Sequence, residues 1–167
     1  MIYKKFGGFA MAVLDKTLFS FEYPEVMTTT CVTGWTYRPC PTWNNPGRMC
    51  REDIVLPCVK TRRSRFRVYA YLRYPDTFED VVRSEIERCH LIATGVATNI
   101  VYTVATASSV VGPQATIAAT VGAIPPALEA YIQSFWNCLT SLNLSDVARR
   151  QFEADIKQET VRITDWG

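Results

Sequence analysis

Six cysteines carry the most specific chemistry in this sequence of 167 residues. Four of them fall between positions 31 and 58, and the other two lie further along the chain. An even number of cysteines with a tight cluster is typical of disulfides and of an oxidising compartment. No pair has the two-residue spacing of a zinc knuckle or of a thiol redox motif. The alternative is a cytosolic protein with buried thiols, but we predict disulfides among Cys31, Cys40, Cys50, Cys58, Cys89 and Cys138.

One disulfide follows from the position of a turn. Gly112 and Pro113 lie nearly midway between Cys89 and Cys138. In an antiparallel helical hairpin, arms of equal length bring both cysteines to the same open end, where their Cα atoms can approach within about 7 Å. We therefore predict a Cys89–Cys138 disulfide. The four N-terminal cysteines would then pair among themselves in one of three ways that the sequence does not distinguish.

The single histidine, His90, limits the enzymatic chemistry that this chain can carry. It follows Cys89 directly, and adjacent residues on a helix do not face each other, so we do not expect a thiolate–imidazole pair. Glu87 and His90 form one Glu-x-x-His motif, whereas a di-iron bundle needs two. We interpret His90 as a polar residue that ends the charged part of a helix. We assign no catalytic, cofactor-binding or metal-ligating residue and expect a protein that is not an enzyme.

Residues 63–73 alternate strongly and place arginine and tyrosine side chains on one face of a predicted strand, opposite an apolar face. This basic aromatic face could bind phosphates and bases, anionic lipid headgroups, or the acidic surface of a neighbouring copy. It could also be a solvated face whose arginines pair with local carboxylates. No RNA-binding signature accompanies it, so we do not expect a nucleic-acid partner. The face consists of Arg63, Arg65, Arg67, Tyr69, Tyr71 and Arg73.

Composition and charge limit the class of protein. Apolar residues make up 48% and charged residues 20%, which excludes a disordered chain and a coiled coil. The net charge of +2 excludes a globally basic nucleic-acid packaging protein. Lys4 and Lys5 precede a short apolar run without a cleavage motif, which is weak evidence for an export signal. We expect an extracellular or particle-associated protein and leave its export route open.

The elements that position these residues predict an α+β fold in one folded unit. Residues 1–75 read as a cysteine-bearing, mostly antiparallel sheet of short strands, 76–142 as a long helical hairpin, and 143–167 as a closing helix and strand that pack back on the sheet. A capping box at residues 76–79 starts the first helix, and Pro125 with Pro126 ends the second helix and opens another. Ser145 caps a helix over residues 146–158, and a strand over 160–166 follows.

Residues 91–128 contain no charged side chain, which is the most unusual feature of this chain. On a helix, branched aliphatic residues form one stripe and small uncharged polar residues form another. Past the turn, alanines recur every four residues, a spacing that allows close contact between helices. The segment could be the core of a monomer, the contact between copies, or a contact with lipid. The predicted contact residues are Ile92, Val96, Ile100, Val104, Ala115, Ala119 and Ala123.

These patterns favour a structural subunit that assembles with copies of itself into a filament, shell or particle, packed through its small-residue apolar helices. A membrane-inserting, pore-forming protein is the alternative, because residues 91–111 are long enough to cross a bilayer as a helix. A small enzyme or a nucleic-acid binder is a second alternative. Copies of the same chain are therefore the expected partner, lipid is an alternative partner, and no cofactor is expected.

Overall fold

The computed structural model describes residues 4–6, 9–41 and 46–167, and the fold is α+β, as predicted. Four strands form one sheet in the order β1-β2-β3-β4, and two long helices lie between β3 and β4 in the chain. The elements are β1 (Lys4–Phe6), β2 (Phe9–Pro39), β3 (Met49–Pro75), α1 (Asp80–Ser108), α2 (Pro113–Leu139), a 3-10 turn (Thr140–Leu142), α3 (Asp146–Arg149) and β4 (Glu153–Arg162).

Contacts divide the chain into two compact units. The first, here called the sheet-and-hairpin unit, comprises Met1–Tyr23 and Arg65–Val161. The second, the ribbon unit, comprises Pro24–Ser64 and Arg162–Gly167. Both β2 and β3 contribute to both units, so the division between the units falls within these two strands.

The strands are much longer than the short strands that the sequence predicts, and they continue through Pro24 and Pro57. Beyond Met11, β2 has a neighbouring strand on only one side within the described part of the sheet, because β1 ends there. A proline on such an edge removes no ladder hydrogen bond. Pro57 is tolerated for the same reason, since the C-terminal segment bonds β3 only from Thr61 onward.

The core of the sheet-and-hairpin unit lies between β3 and the two long helices. The predicted alternation on β3 is confirmed: its inward side chains are fully or almost fully buried, and these are Phe66, Val68, Ala70, Leu72 and Tyr74. The helices contribute side chains at helical spacing, small ones on α1 and aromatic ones towards the end of α2. These residues are Ile86, Ala93, Ala97, Val101, Ala127, Tyr131, Phe135 and Leu139. Small alanines on α1 allow the helix backbone to approach its neighbours closely.

Two predictions about helix ends are wrong. The first helix begins at Asp80 with Glu79 at its N-cap, so residues 76–79 are not a capping box. The backbone N–H of Asp76 instead donates to the carbonyl of Ala10 at 3.0 Å, which ties the end of β3 to β2. Second, Pro125 and Pro126 lie inside one continuous helix. Both proline rings are exposed, so the carbonyl groups one turn earlier can turn towards water.

The C-terminal prediction is wrong in its helix and partly right in its strand. Ser145 caps α3 as predicted, with its Oγ accepting a hydrogen bond from the backbone N–H of Ala148 at 3.2 Å, but α3 has only four residues. The chain then forms β4, which is antiparallel to β3: Arg73 pairs with Glu153, and earlier on β3 Arg67 pairs with Glu159. Pairing along β3 therefore overrides the local helical pattern of residues 150–158.

All six cysteines are paired. The expected Cys89–Cys138 disulfide is present and joins α1 to α2, with its Cα atoms 5.6 Å apart. The N-terminal cysteines pair among themselves, as Cys31–Cys58 and Cys40–Cys50. Both of these bonds join β2 or the residue after it to β3 in the ribbon unit.

Candidate functional site

The outer side of the helical hairpin exposes large apolar side chains without any charge. Leu91 is 52% exposed and Tyr102 is 55% exposed, and the tip of the hairpin exposes Val110 and Val111 almost completely. A soluble helix ordinarily covers its outer side with charged residues, as the earlier part of α1 does. We call this surface the hairpin face, and it consists of Leu91, Ile92, Val96, Tyr102, Val110 and Val111.

The structure places the predicted contact residues at different depths. Ile92 and Val96 are exposed and belong to the hairpin face. Ile100, Val104, Ala115 and Ala119 are half-buried. Ala123 is buried in its own chain, with 4% exposure, because it continues the inward stripe of α2 formed by Thr116, Thr120 and Ala127. The inclusion of Ala123 among the contact residues is therefore corrected: its methyl group contributes to the core.

The small polar residues of α1 make their hydrogen bonds within their own helix. The hydroxyl of Thr98 donates to the carbonyl of Thr94 at 2.7 Å, and that of Thr103 donates to the carbonyl of Asn99 at 2.7 Å. Thr106, Ser108 and Ser109 bond backward in the same way. These side chains bond to their own helix, so their donor hydrogens are already used. Covering this side of α1 therefore leaves those donors satisfied.

Both arms of the hairpin have the length and hydropathy of a membrane-spanning helix. They are Asp80–Ser108, with 29 residues, and Pro113–Leu142, with 30 residues. Only 28% of the most apolar window of each helix is buried in the chain. Length and composition alone are weak evidence for a membrane span, since a core helix of a soluble protein passes the same test.

The basic aromatic face finds its acidic partners in the same chain. Arg65 pairs with Glu22 at 2.6 Å, while Arg67 and Arg73 pair with carboxylates of β4 at 2.9 and 2.8 Å. The guanidinium of Arg67 also lies over the ring of Tyr69, and Lys157 lies over the ring of Tyr71. Arg63 belongs to the ribbon unit, where its backbone carbonyl accepts from Ile163 at 2.9 Å. The geometry is that of a strand face whose charges are largely matched locally.

His90 is buried in the core, whereas the sequence pattern identified it only as the polar residue that ends the charged part of the helix. It is 3% exposed, and its Nδ1 lies 2.7 Å from the hydroxyl oxygen of Tyr131 on α2. Burial, with a smaller contribution from the positive charge of Lys16, lowers the pKa of His90 to about 4, and Asp15 opposes the shift. Burial also raises the pKa of Tyr131. The burial of His90 could have been predicted from the sequence, because His90 lies four residues after Ile86 and therefore on the same buried stripe of α1.

One group of potential metal ligands lies at the open end of the hairpin, where Glu85, Cys89 and Cys138 come together. The two sulfur atoms are bonded to each other and provide no thiolate. Glu85 accepts a hydrogen bond from Arg88 at 3.0 Å, which holds the pKa of that carboxyl below its ordinary value. This arrangement joins two helices and leaves little for a cation to bind.

One cleft with a volume of about 670 Å³ lies in the sheet-and-hairpin unit. It offers guanidinium groups, a carboxylate and a hydroxyl, and its lining residues are Met11, Arg73, Pro75, Thr77, Arg150, Gln151, Phe152 and Glu153. The carboxylate of Glu153 is already paired with Arg73. The hairpin face is the candidate site, because its apolar side chains remain in water along a segment that has no charged residue. No family model, curated protein or solved structure matches this chain.

Proposed function

We propose that this protein is a non-enzymatic subunit that assembles with copies of itself and packs through the hairpin face. The observation that carries the proposal is the exposure of Leu91, Ile92, Val96 and Tyr102 on α1, within residues 91–128, which have no charged side chain. Exposed apolar side chains that are contiguous on a surface commonly mark a contact with another molecule.

The internal hydrogen bonds of α1 support this proposal. Removing a polar group from water costs free energy when it loses its hydrogen bonds. The hydroxyls of Thr98, Thr103 and Thr106 keep theirs, because they donate to carbonyl groups of α1 itself. Another copy can therefore cover this side of the helix at a lower desolvation cost than the number of polar residues suggests.

The test is the molar mass of the protein by light scattering across a range of concentrations, with and without liposomes. We expect particles larger than a monomer in the absence of lipid. Val96→Lys places an unpaired charge in the contact, so it should lower the molar mass of these particles while its disulfides still form. The matched control is Val81→Lys, since Val81 is 78% exposed on the same helix but lies in its charged part.

The two variants together decide the proposal. The proposal is contradicted if the unmodified protein is a monomer at all concentrations. It is also contradicted if Val96→Lys and Val81→Lys lower the molar mass of the particles equally. The second result would mean that any added lysine on α1 disturbs the protein.

Membrane insertion is the second candidate, and one specific observation favours it: both hairpin helices are long and apolar enough to cross a bilayer. In that case the protein would be a monomer without lipid and would bind to liposomes. The same light-scattering experiment separates the two candidates, because assembly needs no lipid and insertion does.

The cysteines support a proposal for the compartment. Three disulfides are weakly consistent with an extracellular or secreted protein. The proposed subunit would accordingly act outside the reducing cytosol, as an extracellular protein or as part of a particle.

A further inference from the structure

The ribbon unit contains an irregularity in β2 that its two disulfides reveal. Between the disulfides the chain advances nine positions on the β2 side, from 31 to 40, but only eight on β3, from 50 to 58. One extra residue on one strand of an antiparallel pair is a β-bulge. The alternation of exposure along β2 slips at Val32 and Thr33, which are both exposed, and this places the bulge there.

The bulge puts the charged residues at the two ends of this segment on one face. Glu25 pairs with Arg62, and Arg38 pairs with Glu52 at 2.7 Å. The β3 partners are even-numbered, as Cys58 is, so they lie on the same face as the Cys31–Cys58 disulfide. The opposite face carries large apolar side chains that are all 50% to 65% exposed, namely Val26, Val32, Trp35, Tyr37, Val55 and Val59.

The β2 edge of the ribbon is open within the described sheet, because β1 covers only residues 9–11. Proteins commonly protect such an edge with lysine, with proline or by keeping the strand short. Here residues 26–37 contain no charged residue and no proline, and the nearest prolines on either side are Pro24 and Pro39. Residues 25–38 therefore offer an edge of roughly 48 Å at 3.4 Å per residue.

The sequence of this edge is symmetric about Cys31 in a way that fits antiparallel pairing with itself. Glu25 lies six positions before Cys31, and Arg38 lies seven positions after it, one of which is the extra residue of the bulge. Pro24 and Pro39 are each seven positions from Cys31 when the extra residue of the bulge is not counted. A two-fold axis through Cys31 would therefore place Glu25 opposite Arg38 of a second copy, on the same face of the sheet, and would place the prolines opposite each other.

From this symmetry we infer that residues 24–39 of β2 form an interface with the same segment of a second copy of this chain, by antiparallel strand pairing about Cys31. The partner is a second copy because the edge is complementary to itself in charge and in the position of its prolines. Each carboxylate can accept from two guanidinium groups, so the pairs within the chain can remain. Pairing also makes the apolar face continuous across both copies, with Val26 opposite Tyr37. This interface does not depend on the hairpin face.

Hydrogen exchange at increasing protein concentration tests the inference. We expect amides within residues 25–38 to gain protection as concentration rises, because the second copy provides carbonyl acceptors along the edge. Thr30→Lys, one position from the axis, should weaken the dimer at least tenfold in analytical ultracentrifugation, since two like charges would meet there. Its control is Val59→Lys, opposite Thr30 on β3 and on the same face, which should change the dissociation constant less than threefold.

Several outcomes would overturn the inference. One is exchange in residues 25–38 that does not depend on concentration. Another is an equal effect of Thr30→Lys and Val59→Lys, which would assign the contact to the apolar face and not to the edge. A second pair of variants tests the charges: Arg38→Gln and Glu52→Gln both remove the same pair within the chain, and only Arg38→Gln should weaken the dimer. Val96→Lys on the hairpin face should leave exchange in residues 25–38 unchanged, so this interface and the proposed function can fail separately.

Discussion

In the sheet-and-hairpin unit, side chains of β3, α1 and α2 form one buried core, and a single disulfide joins the two helices. In the ribbon unit, Ser64 is the only buried side chain among the described residues, and two disulfides lie in that much smaller unit. A two-stranded segment cannot bury enough apolar surface to offset the entropy of ordering it. Disulfides therefore substitute for a core in the ribbon unit, and the apolar side chains of the ribbon stay available for other contacts.

The largest expected effect concerns burial. Phe135 is 1% exposed, and its ring stacks on Tyr131 and contacts Trp136 and Phe152. We expect Phe135→Ala to lower the free energy of unfolding by about 3–5 kcal/mol, because it leaves a cavity in the core. Trp35→Ala on the ribbon should cost less than about 1 kcal/mol, since Trp35 is half exposed. Urea denaturation followed by circular dichroism measures both, and equal losses would contradict the difference between the units.

Removing the Cys31–Cys58 disulfide should affect the ribbon unit selectively. The bond closes a separation of 27 residues, for which loop entropy predicts a loss of about 3.5 kcal/mol. In the Cys31→Ser, Cys58→Ser double variant, we expect amides of residues 24–64 to exchange faster while the core helices keep their protection. The Cys89→Ser, Cys138→Ser variant is the control and should leave exchange in residues 24–64 unchanged. Loss of protection throughout the chain in the first variant would show that the two units do not unfold independently.

His90 makes the core sensitive to acid, and the ribbon unit has no histidine. Its pKa is about 4 in the folded protein and about 6.5 in an unfolded chain. Between these values the unfolded state binds more protons, so stability is complete above pH 6.5 and falls as the pH decreases towards 4. We expect a loss of about 2–3 kcal/mol that His90→Gln removes.

Because the chain has one histidine, its imidazole resonance can be followed by NMR without ambiguity. Titration near pH 6.5 in the folded protein would contradict the buried position of the ring. A fall in stability over this range that persists in the His90→Gln variant would assign the acid sensitivity to other groups.

The smallest effect concerns the basic aromatic face. Arg65 is half exposed, and its pair with Glu22 should contribute about 0–1 kcal/mol. We expect Arg65→Gln to lower stability by less than about 1 kcal/mol, and by less still at high salt. The molar mass of the protein in solution should not change, since the acidic partner belongs to the same chain. A loss of mass would show that this face also contacts another copy.

The sequence predicted those parts of the fold that depend on the spacing of residues within one strand or one helical hairpin. The alternation of residues 63–73 identified a buried strand face, and the equal arms around Gly112 and Pro113 identified the Cys89–Cys138 disulfide. The pairing of the other cysteines stayed open because four cysteines allow three connectivities. The sequence predicted short strands and therefore did not show that β2 and β3 run side by side through all four positions.

Tertiary context decided the elements that the sequence predicted wrongly. The sequence predicted a helix through residue 158, but residues 153–158 pair with β3, where Glu153 and Lys157 contact Arg73 and Tyr71. Pro125 and Pro126 read as a helix break, yet both rings are exposed and the helix continues. For the candidate site, the sequence located the uncharged segment but not which of its residues face outward, since alanine and threonine fit either side of a helix.

The hydroxyl groups of α1 that donate to their own helix affect the heat capacity change of any contact made through the hairpin face. Covering the face removes mostly apolar surface from water, so the heat capacity of the system should fall on association. Such a contact weakens on cooling and strengthens in sulfate. Sodium chloride should not weaken it by charge screening, because residues 91–128 carry no charge. Assemblies held by this face should therefore dissociate in the cold.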